Sequence, residues 1–445
     1  MLAAAAGCSS EDRTLTVEIT VGHETDALRR TPAVTRVEVT ATDGVGAVAR
    51  ASAAPGGTFD LGDRTSEDIV SIEATGFDGA GVAIVRGRSL SGIGLGGVAS
   101  DVLPVFVQRK GEWARPSGAI DHAHVAGVAG AIGERYVLLT GGIQALPASA
   151  SVGLRSVAAY DLLGRAGATM APFPRAARSL VALASSVVVI DDQGATRVDL
   201  TAGSTEDLAV PTGLGAFAEV AGGVTLPGLD GSQYVVGATR AGAPTRAVRR
   251  VGADGTQTGL LLGTARAGAA ASYLADVGLV VAGGSATGPG VEILSTGGTA
   301  FAATAFPADP TTGAAIGPAS KGSFAVVGGT IGGKPAPTRT FALDCGATCA
   351  GAGVDAASIP FATARTAAFS LGGLRIVVVA DEATVGGTTR AFLVDLGART
   401  QVELPLREPR AGATAVPAPN GTLALLGGVH PDGTPALTVE VLFPE

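Results

Sequence analysis

Glycine doublets set the strongest constraint on what this chain can fold into. Apolar runs end on Gly-Gly in "YVLLTGGIQ" (Gly141, Gly142), "LVVAGGSAT" (Gly283, Gly284), "FAVVGGTIG" (Gly328, Gly329) and "LALLGGVHP" (Gly427, Gly428). Weaker copies stand between them: "SVVVIDDQG" at Asp191-Asp192, "QYVVGATR" at Gly237-Ala238 and "IVVVADEAT" at Asp381-Glu382. Successive copies lie about 45–52 residues apart, the period of one small sheet and not of a helical solenoid. The 67 glycines and 24 prolines are scattered among short apolar runs. They punctuate strands and do not form a linker.

Each copy predicts four strands. A run often opened by Arg precedes the doublet, as in "RSLVAL", "RAGAAAS", "RTAAFS" and "RAGATAV". A polar turn and another strand follow it, as in "VAAYDL", "GVEIL" and "TVEVLF", and then a run ending near Pro, as in "GATMAPFP". Four strands in each of seven units, numbered 1–7 here in chain order, predict an all-β, seven-bladed β-propeller. The pattern resembles the kelch repeats of the galactose oxidase/kelch superfamily, over roughly 119–445. In that family the doublet ends the second strand of a blade. Glycine suits that point because a side chain there would obstruct the tight turn and its packing on the next blade. Tyr160 in "AAYD" holds one of the family's aromatic positions.

The seventh unit supplies only three strands, the last in "TVEVLF". Before the first unit lies "FVQRKGEWARPSG" (Phe106–Gly118), which carries the single tryptophan, Trp113, and resembles a fourth-strand segment. Phe106–Gly118 is therefore expected to pair with the last blade and close the ring, removing an open edge. Upstream, "TLTVEITV" and "VTRVEVTATD" alternate apolar and polar with period two, and Phe77–Gly81 reads as a hairpin turn. About seven such strands predict a β-sandwich of immunoglobulin-like type. The expected division is 1–9 signal/lipobox remnant, 10–105 immunoglobulin-like sandwich with a linker near 101–106, and 106–445 propeller.

Net charge is −8 with no basic cluster, which excludes a nucleic-acid surface. No run of about 18 apolar residues predicts a membrane-spanning helix. "MLAAAAGCSSED" resembles the lipobox of bacterial lipoproteins. That resemblance implies a lipid on Cys8, export, and an outer-membrane destination, since Ser9 and not Asp follows the Cys. Cys345 and Cys349 in "DCGATCAGAG" are then expected to form a disulfide; a metal reading lacks further ligands nearby.

No catalytic constellation is legible, and neither a cofactor nor a metal is expected. The four Tyr and four His are spread over distant units, which argues against a copper site. Gly-x-Ser-x-Gly, HExxH, P-loop and calcium-loop patterns are missing. "DHAH" (Asp121, His122, His124) has ligand-like spacing. Yet His124 lies 17 residues before Gly141, as Arg266 and Arg410 lie 17 before Gly283 and Gly427. His124, Arg178, Arg266, Arg365 and Arg410 thus occupy one recurring slot. Two readings stay open: a cationic collar at the channel mouth that would bind an anion, or struts that tie each blade through carbonyls or carboxylates. The function expected is non-catalytic binding or scaffolding at the bacterial envelope, with a propeller face presented to a protein or glycan. The alternative is a polysaccharide-active hydrolase or lyase with its site at the channel mouth.

Overall fold

The structure is a computed structural model and describes residues 16–43, 45–61, 71–90, 102–144, 153–346 and 348–443. Cys8 lies outside the described residues. Apart from single 3-10 turns, the regular structure described is all strand.

Two sheets make the N-terminal domain. In one, Thr16–Thr20 lies between Phe59–Asp60, antiparallel, and Val102–Phe106, parallel. The other runs in the order Ala47–Ala53, Arg36–Thr42, Ser71–Phe77, Ala83–Arg88, Gln108–Arg109. Alternation decides which face is buried. Val37, Val39 and Ala41 of Arg36–Thr42 point inward and meet Val17, Phe59, Leu103 and Val105 of the first sheet in one core. The domain is therefore a β-sandwich. Its hairpin turns where the sequence predicts: the Asp78 carboxylate accepts the N–H groups of Ala80 and Val82 at 2.9 and 2.8 Å.

Seven antiparallel sheets follow among the described residues, one per repeating unit. Unit 1 runs Val128–Ile132, Tyr136–Thr140, Val157–Asp161, Ala166–Thr169. Units 2–6 also have four strands in their main order, and unit 7 has three: Thr414–Pro417, Leu423–Leu426 and Glu440–Leu442. A separate apolar cluster fills each gap between neighbouring sheets, including the gap between units 7 and 1. The sheets therefore stand in a closed ring, a propeller-like fold. Packing on both faces explains why second strands read as unbroken apolar runs. In "SVVVI", Val187 and Val189 enter the cluster shared with unit 1, while Val188 and Ile190 enter that shared with unit 3.

The ring is closed where the sequence suggests, by a shorter segment than expected. Ala114 donates its N–H to Val441 O at 2.9 Å and accepts the Val441 N–H at 2.7 Å. Ile120 donates to Leu437 O at 2.9 Å. Trp113 is fully buried between units 6 and 7, against Val377, Val379, Leu425 and Leu442. Phe106, at the start of the expected segment, belongs instead to the N-terminal domain, as do Gln108 and Arg109. The boundary accordingly moves from 101–106 to just beyond Arg109. The physical reason is that Val105 and Val107 fill the sandwich core, so the chain leaves that domain only after them.

The N-terminal domain lies against the turns that follow first and third strands. Arg165 in unit 1 bonds Thr20, Leu163 packs on the sandwich core, and Arg86 and Arg88 stack over Phe443 at 5.3 and 5.6 Å. The glycine doublets follow second strands and so mark the opposite end of the ring. In unit 5 Cys345 and Cys349 are disulfide-bonded, in the turn between the third and fourth strands.

Candidate functional site: the doublet end of the central cavity

Glycine is required at the doublets by close approach and by conformation. A Cβ on Gly141 would sit 1.9 Å from Ala177 O at the start of unit 2, and one on Gly142 2.4 Å from Val125 O of its own unit. Both have positive φ, 66° and 65°, where a side chain is strained. The same division recurs at Gly427 and Gly428. The first faces His124 O of unit 1 at 2.7 Å, and the second faces Ala411 O of its own unit at 2.6 Å. Each doublet thus lets one unit touch the next.

The slot residues complete this joint. His124 Nδ1 lies 2.7 Å from Gly141 O, and Arg266 Nη1 donates to Gly283 O at 2.7 Å. Arg410 Nη1 donates to Gly427 O at 3.4 Å. Each bond reaches the carbonyl of the first doublet glycine, the spacing of 17 residues seen in the sequence. Arg266 also pairs with Glu292 at 2.9 Å and Arg410 with Glu440 at 2.8 Å, and all four side chains are at most 1% exposed. Glu440 accepts the N–H groups of Arg407 and Glu408 besides. Glu292 does the same for Gly263 and Thr264. Burial pushes the Glu440 carboxyl up and the Arg410 guanidinium down from their ordinary values. Burial also lowers His124. His122 lies at the surface, 3.8 Å from Asp121.

Units 2 and 6 depart from the rule in both positions at once. Each carries an acidic pair in place of the doublet, and each slot arginine turns to it. Arg178 donates to Asp192 at 2.6 Å; Arg365 donates to Asp381 at 2.8 Å and to Ala413 O at 2.6 Å. Arg178 is 46% exposed and Arg365 37%. The structure therefore does not bring the five slot residues together as one collar. Three are internal struts, because a guanidinium or imidazole aimed at a buried carbonyl cannot also reach the axis. Arg178 and Arg365 alone of the five line the central cavity.

That cavity has a volume of about 1380 Å³. Its wall is made by the first strands of all seven units, and each is the edge strand of its sheet. Their unpaired N–H and C=O groups therefore face the axis, among small side chains such as Ala129, Ala271, Ala315 and Ala415. Its charged lining is Arg178, Arg240, Arg365, Asp191, Asp192 and Asp381. All six sit at the doublet end. Three guanidiniums face three carboxylates, so formal charge is balanced there. Each carboxylate is already held. Asp191 accepts the N–H groups of Gln193 and Gly194 and lies 3.3 Å from Arg175; Asp381 also accepts Thr389 Oγ1 at 2.6 Å.

No protein-family profile matches this chain, and no curated protein does. Among solved structures, the chain is similar to one titled "Structure of YjhT", at 13% identity and a TM-score of 0.41. The match covers 64% of this chain and 98% of that one.

Sequence reasoning found the slot but missed its partners Glu292 and Glu440, and it missed Arg240. A signal for the glutamates was present. "GVEIL" and "TVEVL" occur in the two units that pair a slot arginine with a glycine doublet. No local pattern marks Arg240, whose place in the lining follows from the ring alone.

Proposed function

We propose that this protein is a non-catalytic binding protein of the bacterial envelope, whose ligand docks at the doublet end of the central cavity. On this reading the ring is a seven-bladed, kelch-like propeller and the sandwich is an immunoglobulin-like domain. The observation that carries it is the balanced mouth with every carboxylate engaged. General acid–base work needs a carboxyl free to exchange a proton at a substrate atom. Carboxylates held by guanidinium and N–H donors suit recognition instead. A lipid on Cys8 anchors the chain, and the sandwich then lies between the anchor and the ring. The test uses Arg178→Ala/Arg365→Ala on a glycan array and a peptide array. Spots bound by the parent and lost by the variant support binding at the mouth; release of reducing ends from any polysaccharide sinks the non-catalytic reading. Cys8→Ser should move the protein from the membrane to the soluble fraction of cells. Continued membrane retention would remove the anchor from the account.

A further inference from the structure

We propose that the cavity takes a neutral oligosaccharide, gripped across its mouth by the Arg178–Asp192 and Arg365–Asp381 pairs. This rests on the binding reading above and names the ligand class for that site. Units 2 and 6 are three steps apart in the ring of seven, so the two pairs face each other across the axis. They are also the two units in which the buried joint of slot and glycine doublet gives way to an exposed ion pair. In these two units the slot arginine is turned to the cavity and not to the carbonyl of a doublet glycine, which places its side chain for a ligand.

The chemistry of the wall selects among ligands. An anion would meet the carboxylates of Asp191, Asp192 and Asp381, and a cation would meet the three guanidiniums. An apolar ligand would strand the unpaired N–H and C=O groups of seven strand edges, a cost repeated at each group. A chain of hydroxyls satisfies both halves of this lining. Vicinal hydroxyls donate to a carboxylate while accepting from the guanidinium beside it. Others pair with backbone groups further in. Toward the far end, Tyr273 and Phe369 join the lining. Tyr273 is fixed by stacking on Tyr234 at 5.8 Å. Charged groups at one end and strand-edge N–H and C=O groups along the wall give a sugar chain several residues long a place for each residue. An extended peptide shares the backbone chemistry, but it has no use for two guanidinium–carboxylate pairs at one level.

The test is calorimetric titration of the full chain with maltohexaose, cellohexaose, xylohexaose and chitohexaose. A hexauronate and a neutral Gly-Ser decapeptide serve as comparators. At least one neutral hexasaccharide should bind saturably, and Arg178→Ala and Asp381→Asn should each weaken it at least tenfold with the melting temperature unchanged. Tyr273→Ala should weaken it too, while Lys321→Ala should not. Preference for the hexauronate overturns the proposal, and so does sugar binding that survives both mouth variants. If the peptide binds, mouth variants abolish that binding, and no hexasaccharide binds, the sugar assignment fails while the mouth remains the binding site. If none of the six compounds binds, the sugar assignment falls. Mouth-dependent array signals with no hexasaccharide binding leave the broader reading standing by itself.

Discussion

At the residue scale, the joints between units depend on a few buried polar groups. Arg266 satisfies Gly283 O, Pro289 O and Glu292 at once. Arg266→Met strands the Glu292 carboxylate in a fully buried site, and the expected loss is about 3–5 kcal/mol in chemical denaturation. His124 makes the corresponding contact without a counter-charge, so its contribution depends on pH. Burial holds its folded pKa below the ordinary 6.5. The unfolded chain therefore takes up the proton first as pH falls through 6.5, and stability drops from there down to the folded value. Melting temperatures between pH 7.5 and 5.5 should show that decline in the parent, and His124→Gln should flatten it. An identical slope in the variant would contradict this. The spacing of 17 made these contacts legible in sequence. The residue type did not tell which slot residues lie inside, but the spacing did: Arg178 and Arg365 stand 13 and 16 residues before Asp191 and Asp381, not 17.

At the element scale, the doublet combines two demands that a paired substitution separates. Gly133 and Gly141 both have positive φ, but a Cβ on Gly133 meets nothing within 4 Å. Gly133→Ala should cost about 1–2 kcal/mol for the left-handed conformation alone. Gly141→Ala must also move Ala177 O and should cost clearly more, as thermal melts of the two variants would read out. Equal losses would mean that conformation and not the joint requires glycine. Turn chemistry was legible too. In Asp-Gly-Thr at 254–256 and 432–434 and Asn-Gly-Thr at 420–422, the first side chain accepts both the N–H and the hydroxyl of the third residue. These are Asx turns, so the asparagine of "NGT" has its structural use. Strand number and order within a unit followed from alternation and turns. The exact reach of the closing segment did not, because Val105 and Val107 in the sandwich and Trp113 in the ring are equally apolar to a reader of the sequence.

At the scale of the whole molecule, the closing segment ties the two domains together by charge. Glu112 receives Arg30 of the sandwich and Arg407 of unit 7, and Arg115 joins Glu24 at 3.0 Å to Glu408 at 2.9 Å. Burial alone would raise the Glu112 carboxyl, but the bonds from Arg30 and Arg407 outweigh it and hold it below 4.5. Its stabilisation is therefore full above that value and is lost as pH falls through the lower folded pKa. Glu112→Gln should reduce the melting temperature at pH 7 and narrow the gap from the parent under acid; a gap that widens would refute the linkage. Trp113→Ala, which empties the space between units 6 and 7, is expected to cost about 3–5 kcal/mol and to admit protease at the last unit. The pairing of Ala114 with Val441 also has a meaning in time. The ribosome delivers the first half of that bridge long before the second. Through most of translation, Trp113 and its flank wait as an uncovered apolar edge beside an already completed sandwich, until units 6 and 7 arrive to cover them. The interval of greatest aggregation risk is thus set by elongation speed across the ring. Slowing translation over the last unit should lower the soluble yield more than slowing it over the first.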